Sequence, residues 1–577
     1  MQNDRIAAAL EQMADLLEIQ GANPFRVRAY RNGARRVHDL AEPVAAIVAD
    51  PDRKLTDVEG IGKELATKIS VLVETGRLPQ LEALREEVPP GVLALLRIPG
   101  LGPKKAGVLY RELHVESLDQ LRAACQNSRL RELHGFGAKT EQAILDGIDL
   151  AASAGQRIYW AKADRVAREL VAHMRPAVGK GRMEVAGSYR RGRETVGDLD
   201  LLVTAEKAES VMDRFSTFPE IADVLLHGET KMSVRLEGGL QIDLRVVPDV
   251  SFGAALQYFT GSKEHNVVLR GMAKQRGLKI NEWGVFRIAK DASEQRIAGR
   301  TEEEVYAALD LPCFPPELRE ARQEFASAAE GPLPRLIERS DLVGDLHMHT
   351  TASDGRASLM EMIDAARQRG LTYIAITDHS KRVAMARGLD GTRLRRQWSE
   401  IDRLRDKLDG FLVLKGIECD ILEQGGLDLP DDVLAEADWV VASIHYGQNQ
   451  SRQQITDRIL EAIEHPHVSA IAHPTGRLIN RRPRYEVDLE AVFKAARRCG
   501  KMLELNANPA RLDLDDLALA AAKRHGITIV INSDAHSTEG IDVLRYGILQ
   551  ARRGGLTRHD VANTRPWPEF QSLLRRG

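Results

Sequence analysis

The sequence predicts a multidomain chain with a helical N-terminal region, an α+β middle and a C-terminal β/α repeat. Three observations carry this. Its 577 residues exceed one compact core, at about 100–200 residues per domain. The hydrophobic pattern changes twice, becoming strand-like near Arg182 and alternating between strand and helix beyond Asp341. A proline-rich stretch, Leu311-Pro-Cys-Phe-Pro-Pro through Gly331-Pro-Leu-Pro, sets the last part off from the rest.

The first 150 residues carry helical apolar faces at Ile6–Leu17, Leu65–Val73, Leu81–Leu84 and Ile144–Leu150, broken by Gly and Pro. Short β-branched runs follow at Met183-Glu-Val-Ala, Asp200-Leu-Leu-Val and Leu240–Val247. After Asp341 strands are expected at Asp345–His349, Tyr373–Thr377, Phe411–Leu414, Trp439–Ser443, Ala470–Ala472, Met502–Leu505 and Ile527–Ile531. Strands that alternate with helices imply a parallel sheet or a barrel.

Composition narrows the function classes. With 29% charged and 43% hydrophobic residues the chain is an ordinary globular protein. Lys+Arg (81) nearly cancels Asp+Glu (84), so a polyanionic partner must be held by local patches. Cys125, Cys313, Cys419 and Cys499 lie far apart without a CxxC, against a disulfide framework or a cysteine zinc finger. The charged start, Met1-Gln-Asn-Asp-Arg-Ile, does not resemble a signal peptide, and no apolar stretch reaches membrane-spanning length. The expectation is a cytoplasmic protein without a membrane partner. Ten of the 16 histidines follow Asp341, which hints at metal chemistry there.

One pattern occurs three times in the N-terminal region: Val58-Glu-Gly-Ile-Gly-Lys, Ile98-Pro-Gly-Leu-Gly-Pro-Lys-Lys and Leu133-His-Gly-Phe-Gly-Ala-Lys. Gly60 and Gly62, Gly100 and Gly102, and Gly135 and Gly137 flank an apolar residue before a helix. Glycine permits the turn, and open N–H groups at the helix start can hold a phosphate. These resemble helix-hairpin-helix motifs, which bind the DNA backbone without reading sequence. The neighbouring run Arg26–Arg36 adds five arginines in 11 residues, a local basic footprint.

In the middle of the chain stands Gly187-Ser-Tyr-Arg-Arg-Gly-Arg-Glu-Thr-Val-Gly-Asp-Leu-Asp-Leu-Leu-Val. Asp198 and Asp200, two apart, point to one face of a strand, and Asp243 lies in a second strand-like run. Carboxylates on adjacent strands form a hard-oxygen site for Mg²⁺ or Mn²⁺. Gly187, Ser188, Arg190 and Arg191 would then hold a triphosphate. The full string, with Gly197, is similar to the nucleotidyltransferase signature of the family X DNA polymerases. The resemblance continues at Tyr258-Phe-Thr-Gly-Ser and Ile280-Asn-Glu-Trp-Gly-Val-Phe. It implies that Tyr258, Phe259 and Gly261 lie under the nucleotide sugar, that Asn266 meets the incoming base and that Arg270 meets the template. Lys263 stands where the vertebrate enzyme has an acidic residue. The N-terminal block resembles the family's end-binding domain, in which Lys68 takes the place of the lysine that forms a Schiff base with an abasic sugar. Glu64 replaces a supporting lysine there, leaving less positive charge to lower the pKa of Lys68.

The C-terminal block sets candidate ligands just after successive apolar runs: His347 and His349, Asp354, His379, Glu418, His445, His473, Asp534 and His536. In a parallel barrel the C-terminal strand ends converge on one mouth. Six imidazoles and three carboxylates favour Zn²⁺ or Mn²⁺ over Mg²⁺. His465, His467, His525 and His559 lie in helical or loop contexts and are expected to be structural. The block resembles the PHP (polymerase and histidinol phosphatase) domain. That resemblance implies a (β/α)7 barrel with three Zn²⁺ and/or Mn²⁺ ions and metal-dependent phosphoester hydrolysis.

The expected layout is a helical end-binding domain (1–88), a second helix-hairpin-helix domain resembling fingers (89–150), a nucleotidyltransferase palm (151–250), a thumb (251–318), a linker (319–340) and a PHP domain (341–577). The resemblances imply a monomeric gap-filling polymerase that acts on gapped or nicked DNA with dNTPs. Its nuclease would act on 3′ ends or abasic sites. Two rivals stand beside this: a small-molecule phosphatase of the histidinol-phosphate kind with a DNA-binding front half, and an inert DNA-binding scaffold.

Overall fold

Contacts divide the chain into two units, Met1–Arg157 and Ile158–Gly577. The computed structural model describes residues 3–574 except 41–43, 59, 97, 99–100, 134, 139, 143, 146–147, 149–156 and 290–292. The expected helix Ile144–Leu150 falls largely outside the described residues, as do Gly100 and the expected boundary at 150.

The first unit is helical. Helices Asn3–Ile19, Pro24–Asp39, Lys63–Thr75, Pro79–Glu87, Pro103–Leu113 and Leu118–Gln126 share a core that includes Leu10, Leu16, Ile69 and Leu109. The glycine turns show why their apolar residue is needed. Ile61, Leu101 and Phe136 are each buried in that core and pin the turn from below. Their N–H groups bond Val58, Ile98 and Leu133 at 3.0, 3.0 and 3.1 Å.

The second unit begins with a pair of short strands, β1 (Ile158–Tyr159) and β3 (Thr195–Val196). Its first large sheet is built from β2 (Met183–Val185), β4 (Asp198–Val203), β5 (Ile221–His227), β6 (Lys231–Leu236) and β7 (Gln241–Val246). The order is β2-β4-β7-β6-β5, with β4 and β7 parallel and the other pairs antiparallel. Leu199, Leu201, Ile242 and Leu244 bury one face and leave the intervening aspartates on the other. A smaller body follows: helices Phe252–Thr260 and Lys263–Gln275, then an antiparallel sheet of β8 (Leu278–Asn281), β9 (Gly284–Ile288) and β10 (Glu294–Ala298).

Residues 319–340, expected to be a linker, are packed instead. Arg319 is buried against Glu302 and the Phe314 carbonyl, and Phe325 stacks on the buried His265 at 4.7 Å. Glu324 lies 2.9 Å from Nδ1 of His265. Proline prevents a long helix here but leaves these anchors in place, so the segment packs onto the body around His265.

The last part is a parallel seven-stranded sheet ordered from β11 (Gly344–Asp345) through β12 (Tyr373–Ile376), β13 (Leu412–Asp420), β14 (Trp439–Ser443), β15 (Ala470–Ile471) and β16 (Met502–Asn506) to β17 (Ile529–Asn532). A bridge between Met348 and Ala535 joins the first and last strand ends, giving a nearly closed barrel. Its strands are buried on both faces, as helix-covered parallel strands are. Phe570 of the C-terminal helix packs on Tyr373 and Trp439, at the strand starts, so the opposite ends remain for chemistry. Strand β13 runs six residues beyond its expected end and carries Glu418 within it.

Candidate active sites

The first site forms where β4 lies beside β7. Asp200 is directly opposite Asp243 in the parallel register, and Asp198 is opposite Gln241. Gly187, with φ +68°, brings the following turn close, for a Cβ there would lie 3.0 Å from an Asp200 carboxylate oxygen. Burial, with Asp198 and Asp243 beside it, pushes Asp200 up to about 7. Lys231 and Arg245 lie 3.6 and 3.7 Å from Asp243 and balance only part of this charge. Three carboxylates gathered at such a cost fit a hard divalent cation.

Around this cluster the predicted residues take different roles. Tyr258 and Phe259 end the helix Phe252–Thr260 and pack edge to face, and Gly261 follows at φ +69°. Arg190 does not offer a free guanidinium to a triphosphate: it is bidentate on the buried Glu302 at 2.9 and 2.7 Å and also bonds Thr260. Glu302 satisfies the fork, so Arg190 ties the turn after Gly187 to the helix Glu302–Ala307. Asn266 is buried, its amide donating to the Tyr258 carbonyl and accepting from Gln257. Lys263 and Arg270 are exposed on the same helix.

In the first unit, a Cβ on Gly62, Gly102, Gly135 or Gly137 would meet nothing within 4 Å, so these turns present open backbone. Gly60 and Gly135 take left-handed φ values of +90° and +87°. Lys68 is buried and donates to Glu64 and to the Tyr30 hydroxyl. Burial lowers its pKa, but those two partners outweigh it and hold the ammonium above the usual lysine range. That is the wrong direction for a Schiff-base nucleophile.

The second site is the mouth of the barrel, and all nine predicted ligands meet there. Three overlapping groups form, each with donor atoms within 4.8 Å of one another: His349, Asp354, His379 and His536; His347, His349 and Asp534; and His379, Glu418 and His445. His473 joins through Glu418, at 3.0 Å. The sharing of His349 and His379 between groups suits more than one ion. Buried donor atoms point into this space without an aligned hydrogen-bond partner among the described residues, including Nε2 of His347, Nδ1 of His349 and Oε2 of Glu418. His379 Nδ1 lies 2.7 Å from that Glu418 oxygen, yet the two are not aligned as donor and acceptor. Orphaned lone pairs converging in this way fit metal coordination, and the imidazole-rich set fits Zn²⁺ or Mn²⁺.

The electrostatics divide. Burial would lower His347, His379 and His536, but neighbouring carboxylates outweigh it and raise all three, His379 to about 10. A bound cation would therefore displace protons from these rings. Burial would raise Glu418 and Asp534, but the surrounding imidazoles hold both well below the usual carboxylate range. Burial, with His379 and His536 beside it, pushes His349 down to about 4 and keeps it neutral. Sequence reasoning missed the groups behind the ligands. Glu504 lies 2.7 Å from Nδ1 of His347, and Asp420 lies 3.1 Å from Nδ1 of His445. Asn506 donates to Asp534 at 3.0 Å. Glu504 and Asn506 sit at alternate positions of one strand, and that parity was the available signal. His465 and His525 stay outside the cluster, against Asp431 and Glu490.

Comparison with known proteins follows the same division. The chain matches the helix-hairpin-helix domain over residues 1–78 and the SAM-like helix-hairpin-helix tandem over 92–149. It matches the DNA polymerase beta palm over 159–245, the DNA polymerase beta thumb over 255–320 and the PHP domain over 345–508. It is 41% identical to the DNA polymerase/3′-5′ exonuclease PolX of Bacillus subtilis (strain 168) over the full length of both chains. Rat DNA polymerase lambda is 27% identical over 55% of this chain and 56% of its own. A Thermoanaerobacter sp. (strain X514) protein named "Probable phosphatase" is 31% identical over 39% of this chain and 91% of its own.

Proposed function

The chain belongs to the family X DNA polymerases that carry a C-terminal PHP domain, and on that premise we propose that it fills short gaps during DNA repair and degrades 3′ ends with a nuclease in the same polypeptide. One observation carries the reading. A sheet that sets Asp200 opposite Asp243 and a barrel mouth that gathers nine His, Asp and Glu side chains occur in one chain.

Synthesis would proceed by in-line attack of the primer 3′-hydroxyl on the α-phosphate of a dNTP. The new P–O bond forms as the bond to pyrophosphate breaks. Asp198, Asp200 and Asp243 would hold Mg²⁺ or Mn²⁺, which when bound acidifies the hydroxyl and neutralises the triphosphate. Gly187 and Ser188 would support the phosphates, with Gly197 leading the chain into β4. Tyr258 and Phe259 offer an aromatic surface to the sugar. Asn266 would reach the base by giving up its bonds to Tyr258 and Gln257, and exposed Arg270 would meet the template. The open turns at Gly60 and Gly62, Gly102, and Gly135 and Gly137 would seat DNA phosphates.

At the barrel mouth the nine ligands would hold Zn²⁺ and/or Mn²⁺, three ions in all, which supply Lewis acidity for phosphodiester hydrolysis. Glu504 and Asp420 orient the His347 and His445 rings, so that the opposite nitrogens face the mouth. The substrate would be a DNA 3′ end or an abasic-site backbone. No described helix is long and apolar enough to cross a membrane; that the full-length relative is a bacterial DNA polymerase supports a cytoplasmic place of work for this chain.

The deciding experiment compares wild type, Asp200→Ala and His349→Ala on a gapped duplex with a mismatched 3′ end. The first variant should lose synthesis and keep degradation, and the second should do the reverse. Loss of both activities in either variant would overturn the two-site reading. Hydrolysis of histidinol phosphate but not of DNA ends would favour the phosphatase rival.

A further inference from the structure

The barrel is bolted to the polymerase half of the second unit through several built contacts. Arg477 pairs with Glu194 at 2.7 Å, Arg552 pairs with Glu317 at 2.7 Å, and the Tyr159 hydroxyl donates to the Ile479 carbonyl at 2.8 Å. One of these contacts reaches the nucleotide side of the palm. Arg553, nearly fully buried at the end of the barrel helix Leu544–Arg553, donates to the backbone carbonyl of Arg191 at 2.9 Å. The same guanidinium bonds Glu320 at 2.8 Å and Asp516 at 2.6 Å. Glu320 in turn accepts from Nε of Arg191 at 3.1 Å.

Arg191 is therefore held at both its carbonyl and its guanidinium. The far end of that guanidinium donates to the Thr260 carbonyl, immediately before Gly261. Backbone bonds tie the same segment to Gly187 and Ser188: Arg191 N–H to the Gly187 carbonyl at 3.4 Å, and Arg193 N–H to the Ser188 carbonyl at 3.1 Å. Leu549, one turn before Arg553, closes on Gly192, whose Cβ would lie 3.4 Å from it. The barrel thus grips the loop that carries Gly187 and Ser188, and through Arg191 the turn that carries Tyr258, Phe259 and Gly261.

We propose that Arg553 of the PHP barrel is a positioning residue for DNA synthesis, holding Arg191 and the Thr260–Gly261 turn in the geometry that receives the nucleotide. The barrel is then a structural part of the polymerase site as well as a second enzyme. This rests on reading the Gly187–Ser188 and Tyr258–Gly261 segments as the nucleotide site. One guanidinium nitrogen serves Arg191 and Glu320 and the other serves Asp516, a fixed spread that the compact ammonium of lysine matches less well.

The test uses the full chain with Arg553→Ala, Arg553→Lys and Glu320→Gln. Single-nucleotide gap filling is measured across dNTP concentration, with exonuclease rate and thermal melting on the same preparations. Arg553→Ala should raise KM for the dNTP about tenfold with a smaller change in kcat. Its exonuclease rate should stay within about twofold of wild type, since Arg553 touches no barrel ligand. Arg553→Lys should give an intermediate KM. Glu320→Gln, which keeps shape but removes the charge shared by Arg191 and Arg553, should raise KM in the same direction as Arg553→Ala. An unchanged KM in both Arg553→Ala and Glu320→Gln overturns the proposal. Synthesis and exonuclease falling together with the melting temperature also overturns it, since that is the mark of a purely structural contact. Failure of the wild type to fill gaps overturns the underlying reading as well, so the two failures are distinct.

Discussion

Nδ1 of His347 lies 2.7 Å from Oε1 of Glu504, and neither side chain is exposed to solvent. The carboxylate accepts a hydrogen bond from the ring on that side and leaves Nε2 to face Glu418 and Asp534 at 3.5 and 3.8 Å. Glu504→Gln keeps the shape but weakens that hold on the ring. Exonuclease activity or metal affinity should fall about 10- to 100-fold, while gap filling stays near wild type. Titrating exonuclease rate against Mn²⁺ with wild type and Glu504→Gln checks this, and equal loss of synthesis would count against it.

Asp200 is held near pH 7 by burial and then by Asp198 and Asp243. Above that pH, without metal, its charge destabilises the fold. Asp200→Asn should therefore raise the melting temperature of EDTA-treated protein at pH 8, by about 3 °C or more, while abolishing synthesis. A lower melting temperature in the variant would refute the account.

Glu320 behaves in the opposite sense. Burial would raise its pKa, but Arg553, Arg191 and Arg193 outweigh it and bring it down to about 2 from a reference of 4.5. A depressed carboxylate contributes stability that is complete above its unfolded pKa and is lost as pH falls toward the folded one. Wild type should therefore melt above Glu320→Gln at pH 7, and the gap should narrow between pH 4.5 and 2. Melting curves of both proteins at pH 7 and pH 3 measure it.

Lys68 is kept protonated by Glu64 and Tyr30. Borohydride trapping on abasic-site DNA should accordingly be weak in wild type. Glu64→Ala removes a raising partner and leaves the burial, so trapping at neutral pH should increase, by about tenfold for each pKa unit released. Trapping that is strong in wild type and unchanged in the variant would restore Lys68 as an effective nucleophile.

Gly62 and Gly102 have ordinary backbone angles, and a Cβ on either meets nothing. Valine at both should leave the melting temperature nearly unchanged yet keep a phosphate from the turn. Affinity for gapped DNA should drop about tenfold, the worth of a hydrogen bond to a charged group. The salt dependence should not change, because no cation is removed. Fluorescence anisotropy across a salt series reads both effects.

Much of each site is legible in the sequence, because its ligands follow local periodicity. Asp198 and Asp200 share a face by strand alternation, and His347 and His349 flank Met348 in the same way. Their supporting groups are not legible so easily. Glu504 reads as one residue of an apolar strand, and its partner lies 157 positions away. The proline-rich segment shows the same limit: composition reports the missing helix, while the burial of Arg319 and Ile337 and the stacking of Phe325 on His265 depend on distant partners.

By itself the sequence determined the order of the parts, the chemistry of the two ligand sets and the phosphate-holding turns, since each depends on neighbours within a few residues. Tertiary structure alone decided that Arg190 is a strut to Glu302, that Tyr30 joins Glu64 on Lys68, and that Arg553 of the barrel holds Arg191 of the palm. A side chain's charge state and the partner it serves are set by whatever the fold brings within about 3–4 Å, and no local pattern encodes a neighbour hundreds of residues away.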